Sequence, residues 1–226
     1  AETFRIPLRN GTLVEMHPGG GRKSFLYHAS DRADIPGLLT EKLSMQSESV
    51  EGRRNCASAA VGLMAKRFSR PIAREKAASL ASEESGQTSL YEVKRGLEES
   101  GLYCMAVRTD LDALSSLSGC AVIAHLPNLS HYVIVDRIEE DAVWTIDLTS
   151  RKVYWKWKRA DFAADWREGT ALLVSDSPTR LPTQMQTIEP MGLYDIYGGD
   201  YETYSCTEKI QNEEYIPCPH PIGGFL

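Results

Sequence analysis

The chain has no apolar run of the about 20 residues that a membrane-spanning helix takes, and its 226 residues contain no nucleotide-binding motif, internal repeat or low-complexity tract. Basic charge is in short supply. Against 31 Asp and Glu stand 25 Lys and Arg, a formal net charge of -6, which argues against nucleic acid as the main partner. Metal-ligand spacing is missing too: His17 and His28 read as surface residues, and Cys218 with His220 supplies only two donors, too few for a site. Neither a first methionine nor a basic-then-apolar leader stands at Ala1-Glu2, which fits a removed signal segment or a trimmed chain.

Cysteine is scarce but patterned. Of the five, Cys104 and Cys120 lie in neighbouring apolar segments and Cys206 and Cys218 bracket a polar loop, so two local disulfides are expected and Cys56 is left over. Such pairing, with the non-Met start, points to an extracytoplasmic protein, periplasmic or secreted; reduced cysteines leave a cytoplasmic one open.

The odd cysteine stands where a loop becomes a helix. Ala57 to Phe68 is alanine-rich, with Val61, Leu63, Met64 and Phe68 to bury. Cys56 therefore falls in the first turn, where unpaired N–H groups and the positive end of the helix dipole favour a thiolate. A free cysteine among alanines can equally be a small buried hydrophobe. The choice depends on a histidine and an acid elsewhere.

Along the chain, residues 1–45 read as an N-terminal extension, with a β-like start at Thr3 to Leu8, a turn at Asn10-Gly11 and a second apolar piece at Thr12 to Met16. Residues 46–176 read as one domain. After the Cys56 helix, a second is expected around Ile72, Ala77, Leu80 and Ala81, and a third begins at the capping box Ser89-Leu90-Tyr91-Glu92 and stops at Gly101. Strands follow at Leu102–Val107, Ala121–Leu126, Tyr132–Asp136, Ala142–Ile146 and Val153–Trp157, then a short helix at Arg159–Trp166 and a strand at Ala171–Val174. Helices first and an antiparallel sheet second make an α+β fold. Residues 177–226, rich in Pro, Thr, Gln, Gly and Tyr, read as a C-terminal tail that packs on its own domain or on a protein partner.

His131 opens one strand and Asp147 ends the next, across the Glu139-Glu140-Asp141 turn. Antiparallel neighbours place the start of the first beside the end of the second. There the carboxylate can fix the ring's tautomer and the ring can take a thiol proton. Taken singly, His131 is a hydrogen-bonded strand end and Asp147 a turn former.

From about Asn55 to Asp176 the chain resembles the papain-like bacteriocin-processing cysteine peptidases, whose best-known members remove leader peptides after a double glycine. The resemblance lies in Asn55-Cys56-Ala57-Ser58-Ala59, Thr88-Ser89-Leu90-Tyr91-Glu92-Val93-Lys94, Glu99-Ser100-Gly101-Leu102, Ala121 to Leu126, His131 to Val135, Ile146-Asp147, Asp161-Phe162 and Trp166. It implies a papain-like fold, a nucleophile at Cys56, a general base at His131 and an orienting acid at Asp147. A peptide or protein is then the substrate, and no metal or cofactor is needed. Two departures concern the oxyanion hole: where the family usually has glutamine six residues before the cysteine this chain has Val50, and Asn55 and Ala57 flank the cysteine in place of aspartate and glycine. Gln46 and Asn55 are the side chains that could supply the missing donor, with the Cys56 N–H as the second.

Two other readings share these residues. One is a peptidase-fold module that binds partners in a larger assembly without efficient catalysis; the other is a transglutaminase-like acyltransferase, which shares the triad but not the surrounding motifs. Since no transporter motif occurs, the enzyme reading is of a stand-alone peptidase. The pairs Gly19-Gly20, Gly198-Gly199 and Gly223-Gly224 invite the idea of self-processing, but turns explain them more simply.

Overall fold

A nine-stranded sheet carries the molecule. The structure, a computed structural model, describes residues 12–16, 23–28, 32–47, 56–73, 76–77, 79–80 and 87–199. The strands are β1 (Thr12–Met16), β2 (Lys23–Tyr27), β4 (Tyr103–Arg108), β5 (Ala121–Leu126), β6 (His131–Ile138), β7 (Ala142–Ile146), β8 (Lys152–Lys158), β9 (Thr170–Ser175) and β10 (Gln186–Thr187), in the order β1-β2-β8-β7-β6-β5-β9-β4-β10. All neighbours are antiparallel except β2 and β8. A separate two-stranded ribbon joins β3 (Thr88–Ser89) to β11 (Tyr197–Gly198). The helices are α1 (Ile35–Ser47), α2 (Cys56–Arg67), α3 (Leu90–Glu98), α4 (Leu111–Ser115) and α5 (Arg159–Asp165). The mixed helix and antiparallel-sheet plan is the α+β class expected from the sequence.

The sheet is buried on both faces, and the period-2 alternation of its strands divides the core in two. Ile123 of β5, Tyr132 and Ile134 of β6, and Leu172 and Val174 of β9 pack with Ala57, Val61 and Met64 of α2 and Leu90, Val93 and Leu97 of α3. Their neighbours Val122, Val133 and Leu173 turn the other way, onto Leu111 and Leu114 of α4 and Phe162 of α5. This explains why β5 is apolar at every position but His125: all six residues are buried.

Individual elements follow from local chemistry. Ser89 caps α3, its Oγ accepting from the Glu92 N–H at 3.3 Å while Glu92 Oε2 accepts from the Ser89 N–H at 2.9 Å. Lys66 and Arg67 end α2 with the sign its dipole favours, and Arg67 reaches Asp136 of β6 at 3.4 Å, fixing the helix to the sheet. Gly169, before β9, has φ +62, and a Cβ there would lie 2.1 Å from the Thr109 carbonyl oxygen. Gly169→Ala is expected to cost about 1–3 kcal/mol from backbone strain alone, more with the clash, read as a lower denaturant midpoint.

Several expectations are corrected. Ile72 lies outside any helix, while of the second helix expected there Lys76 and Ala77 are helical and Ala81 lies outside the described residues. His28 is half-buried rather than on the surface: its Nδ1 accepts from the Lys156 N–H at 2.8 Å and its ring lies 4.0 Å from that of Trp155. Cys104 and Cys120 are free thiols, not a disulfide. The reason is topological, because β9 inserts between β4 and β5, so that Cys104 faces Val174 from one side and Ala121, next to Cys120, faces Val174 from the other. Two strand spacings separate the pair by about 10 Å, beyond the reach of a disulfide. Burial pushes the Cys104 thiol up to about 12, which keeps it inert. The segment Thr3 to Leu8, His17, Cys206, Cys218 and His220 lie outside the described residues. No described helix is long and apolar enough to cross a membrane.

Candidate active site

The three sequence-selected residues meet where α2, β6 and the end of β7 converge. Cys56 is the first residue of α2, 2 % exposed. His131 opens β6, and its Nε2 lies 2.6 Å from Asp147 Oδ2. The other carboxylate oxygen, Oδ1, accepts from the Thr149 N–H at 2.9 Å, the Thr149 hydroxyl at 2.8 Å and the Ser150 N–H at 3.0 Å. Asp147 is thus held through Oδ1 by its own turn while Oδ2 meets the His131 ring, so the turn former and the partner of the ring are one side chain.

Electrostatics follow from that geometry. Burial by itself would lower the basicity of the His131 ring, but the Asp147 carboxylate and the Cys56 thiol outweigh it and raise the pKa well above the ordinary histidine value. Burial would raise Asp147; the His131 ring and the Thr149 and Ser150 donors outweigh it and hold the carboxyl below its usual range. With Nε2 committed to the carboxylate, Nδ1 is the ring nitrogen that can exchange a proton with the thiol.

Lys42 of α1 supports this corner and was not among the residues selected from the sequence. It is 1 % exposed, and its ammonium donates to the Leu148 carbonyl at 2.8 Å and the Ser150 carbonyl at 2.6 Å. Those carbonyls flank the turn that ligates Asp147, so α1 holds the acid in place across the structure. No helix was expected at α1, although its start carries a signal: Asp34 precedes Ile35-Pro36, and its Oδ1 accepts from the Gly37 N–H at 2.9 Å, an N-cap followed by an early proline. Lys42→Met is expected to strand both carbonyls, cost about 1–3 kcal/mol and lower turnover, checked by chemical denaturation alongside peptide cleavage.

Of the two oxyanion candidates, Asn55 lies outside the described residues, and Gln46 lies in the last turn of α1 with its side chain outside the description. An apolar pocket beside the thiol is lined by Ala59, Ala60, Leu63, Ile134, Ile146 and Leu148.

The cleft over Cys56 is occupied by the chain's own residues 196–199. Tyr197 and Gly198 pair with Ser89 and Thr88. The Ile196 carbonyl accepts from the Leu90 N–H at 2.7 Å and from the Tyr132 hydroxyl at 2.9 Å. His125 Nε2 donates to the Tyr197 carbonyl at 2.9 Å, and the Gly199 N–H donates to the Ser130 carbonyl at 2.7 Å. The Cys56 thiol donates to the Gly199 carbonyl at 3.3 Å. Upstream, Leu193 and Ile196 are buried, and Tyr194 stacks on Tyr91 of α3 with ring centres 4.2 Å apart. The C-terminal segment, expected as a tail, therefore packs through residue 199 on its own domain.

The family profile described as the Peptidase C39 family matches residues 44–179, more than half of the chain. No curated protein matches. Among solved structures, a double glycine motif protease from an AMS/PCAT transporter, in complex with its leader peptide, is similar at 16% identity over 57% of this chain and 89% of its own, TM-score 0.49. The peptidase domain of Streptococcus ComA, a bi-functional ABC transporter of a quorum sensing pathway, is similar at 15% identity over 55% and 93%, TM-score 0.48. The N-terminal peptidase C39 like domain of a toxin secretion ATP-binding protein from Vibrio parahaemolyticus is similar at 15% over 55% and 98%, TM-score 0.45.

Proposed function

The chain belongs to the Peptidase C39 family, and from that premise we propose that it is a cysteine endopeptidase that cleaves a peptide or protein after a double glycine, with Cys56 as nucleophile, His131 as base then acid, and Asp147 as orienting group. The observation that carries the reading is the buried His131–Asp147 contact of 2.6 Å beside a cysteine at a helix N-terminus. His131 takes the thiol proton as sulfur attacks the scissile carbonyl, and returns it to the leaving amine. Water, deprotonated by the same ring, then hydrolyses the thioester. The carboxylate keeps Nε2 protonated throughout, so that Nδ1 does the proton transfer, and the Cys56 N–H, one of the amides that the first turn of α2 leaves without a helical partner, serves as an oxyanion donor.

The test is hydrolysis in trans. A synthetic peptide with an internal Gly-Gly, offered to the full chain in excess, is expected to be cut after the second glycine, with cleavage lost in Cys56→Ala. Cleavage that persists in Cys56→Ala, or none at all by the wild-type chain, would contradict the reading.

A further inference from the structure

Resting on the peptidase reading, the geometry points to the chain as its own substrate: Ile196-Tyr197-Gly198-Gly199 occupies the acyl side of the cleft, and Cys56 cleaves the Gly199–Asp200 bond intramolecularly. A turn needs none of the contacts this segment makes. Its backbone is held by the Ile196, Tyr197 and Gly199 carbonyls and by the Gly199 N–H, each bonded to a different part of the cleft. The thiol meets the carbonyl of the second glycine of a pair, the position at which a double-glycine substrate presents its scissile bond.

Sterics single out the first glycine of that pair. A Cβ at Gly198 would lie 2.4 Å from two ring carbons of Tyr132 and 3.0 Å from Cys56 Sγ. Tyr132 is 1 % exposed and its hydroxyl is bonded to the Thr88 and Ile196 carbonyls, so its ring has nowhere to retreat. At Gly199 the nearest atoms to a Cβ, on Gln87, are 3.7 Å away, an ordinary contact. The cleft therefore demands glycine at 198 and accepts a small side chain at 199.

Written out, the step balances with no co-reactant but water. The Cys56 proton passes to His131 as the S–C bond to the Gly199 carbonyl forms. The C–N bond to Asp200 breaks and its nitrogen leaves as an amine with the proton from His131. Water then gives its proton to His131 and its hydroxyl to the acyl carbon, freeing a Gly199 carboxylate and restoring the thiol. The products are residues 1–199 and the segment beginning at Asp200. Seating by Leu193, Ile196 and the β3–β11 pairing supplies the positioning that an intermolecular substrate must find by diffusion.

The experiment is a time course of intact mass on the full chain, with Cys56→Ala, Gly198→Val and Gly199→Ala beside it, and each protein also offered a free peptide of sequence Ile-Tyr-Gly-Gly-Asp extended at both ends. Expected are two species from the wild type, divided after Gly199, at a rate independent of protein concentration. Gly199→Ala is slowed by no more than about tenfold, Gly198→Val by at least about 100-fold, and Cys56→Ala stays intact. Gly198→Val still cuts the free peptide, which shows that it is folded. A wild-type chain that stays intact while cutting the free peptide overturns self-cleavage and leaves the peptidase reading standing; one that cuts neither overturns both. A rate proportional to concentration, or Gly198→Val processed like wild type, overturns the intramolecular seat.

Discussion

His131→Ala is expected to slow peptide hydrolysis by about 10⁶-fold, comparable to losing the nucleophile itself. In the proposed mechanism the ring accepts the Cys56 proton and returns it to the leaving amine, and these two transfers act as a unit with the nucleophile. A double variant, Cys56→Ala with His131→Ala, is therefore no slower than either alone. Steady-state hydrolysis of a double-glycine peptide, with a thermal melt to show that each variant folds, checks both statements. A loss of less than about 100-fold for His131→Ala would mean that another base serves Cys56.

Asp147→Asn is expected to lower turnover by about 10⁴-fold, because an amide can present its N–H to the ring and fix the wrong tautomer. The carboxylate is a main reason the His131 pKa is raised, so its removal moves that pKa down, as an NMR titration of the ring would report. Stability shifts with pH by the same linkage. Asp147 is held below its ordinary value in the folded state, so its contribution is complete above about pH 4 and is lost as pH falls through the lowered folded value. His131, raised, contributes fully below about pH 6.5 and loses that contribution as pH rises through its folded value. Asp147→Asn is expected to flatten both slopes in a series of denaturant midpoints against pH.

Local chemistry was legible in the sequence. The Ser89/Glu92 capping box, the helix beginning at Cys56 and the strands Ala121–Leu126 and Ala142–Ile146 are each specified by residues a few positions apart. The meeting of His131 and Asp147 was legible for a related reason, since a short connection between adjacent antiparallel strands leaves little freedom in which ends meet. What escaped were arrangements that depend on distant partners. Nothing local says that β9 will enter between β4 and β5, so the proximity of Cys104 and Cys120 in sequence suggested a bridge that the sheet order forbids. Lys42 gave no signal, because its two carbonyl partners lie more than a hundred residues away. In the sequence Gly198 and Gly199 read as a turn, and only the Tyr132 ring and the Cys56 sulfur show why glycine is needed at 198.

The central claim is that Cys56 is the nucleophile of a double-glycine cleft, and covalent capture tests it most directly. A peptide ending in Ile-Tyr-Gly-Gly, the carboxylate of its last glycine replaced by an α,β-unsaturated methyl ester that takes the thiol by conjugate addition, is incubated with the full chain, and the adduct is located by peptide mapping. Because capture is irreversible, it accumulates whenever residues 196–199 leave the cleft. The expected result is one adduct, on Cys56, abolished by His131→Ala and unaffected by the Cys104 and Cys120 thiols. Labelling of Cys104 or Cys120 as readily as Cys56, or of none, would contradict the assignment of this site.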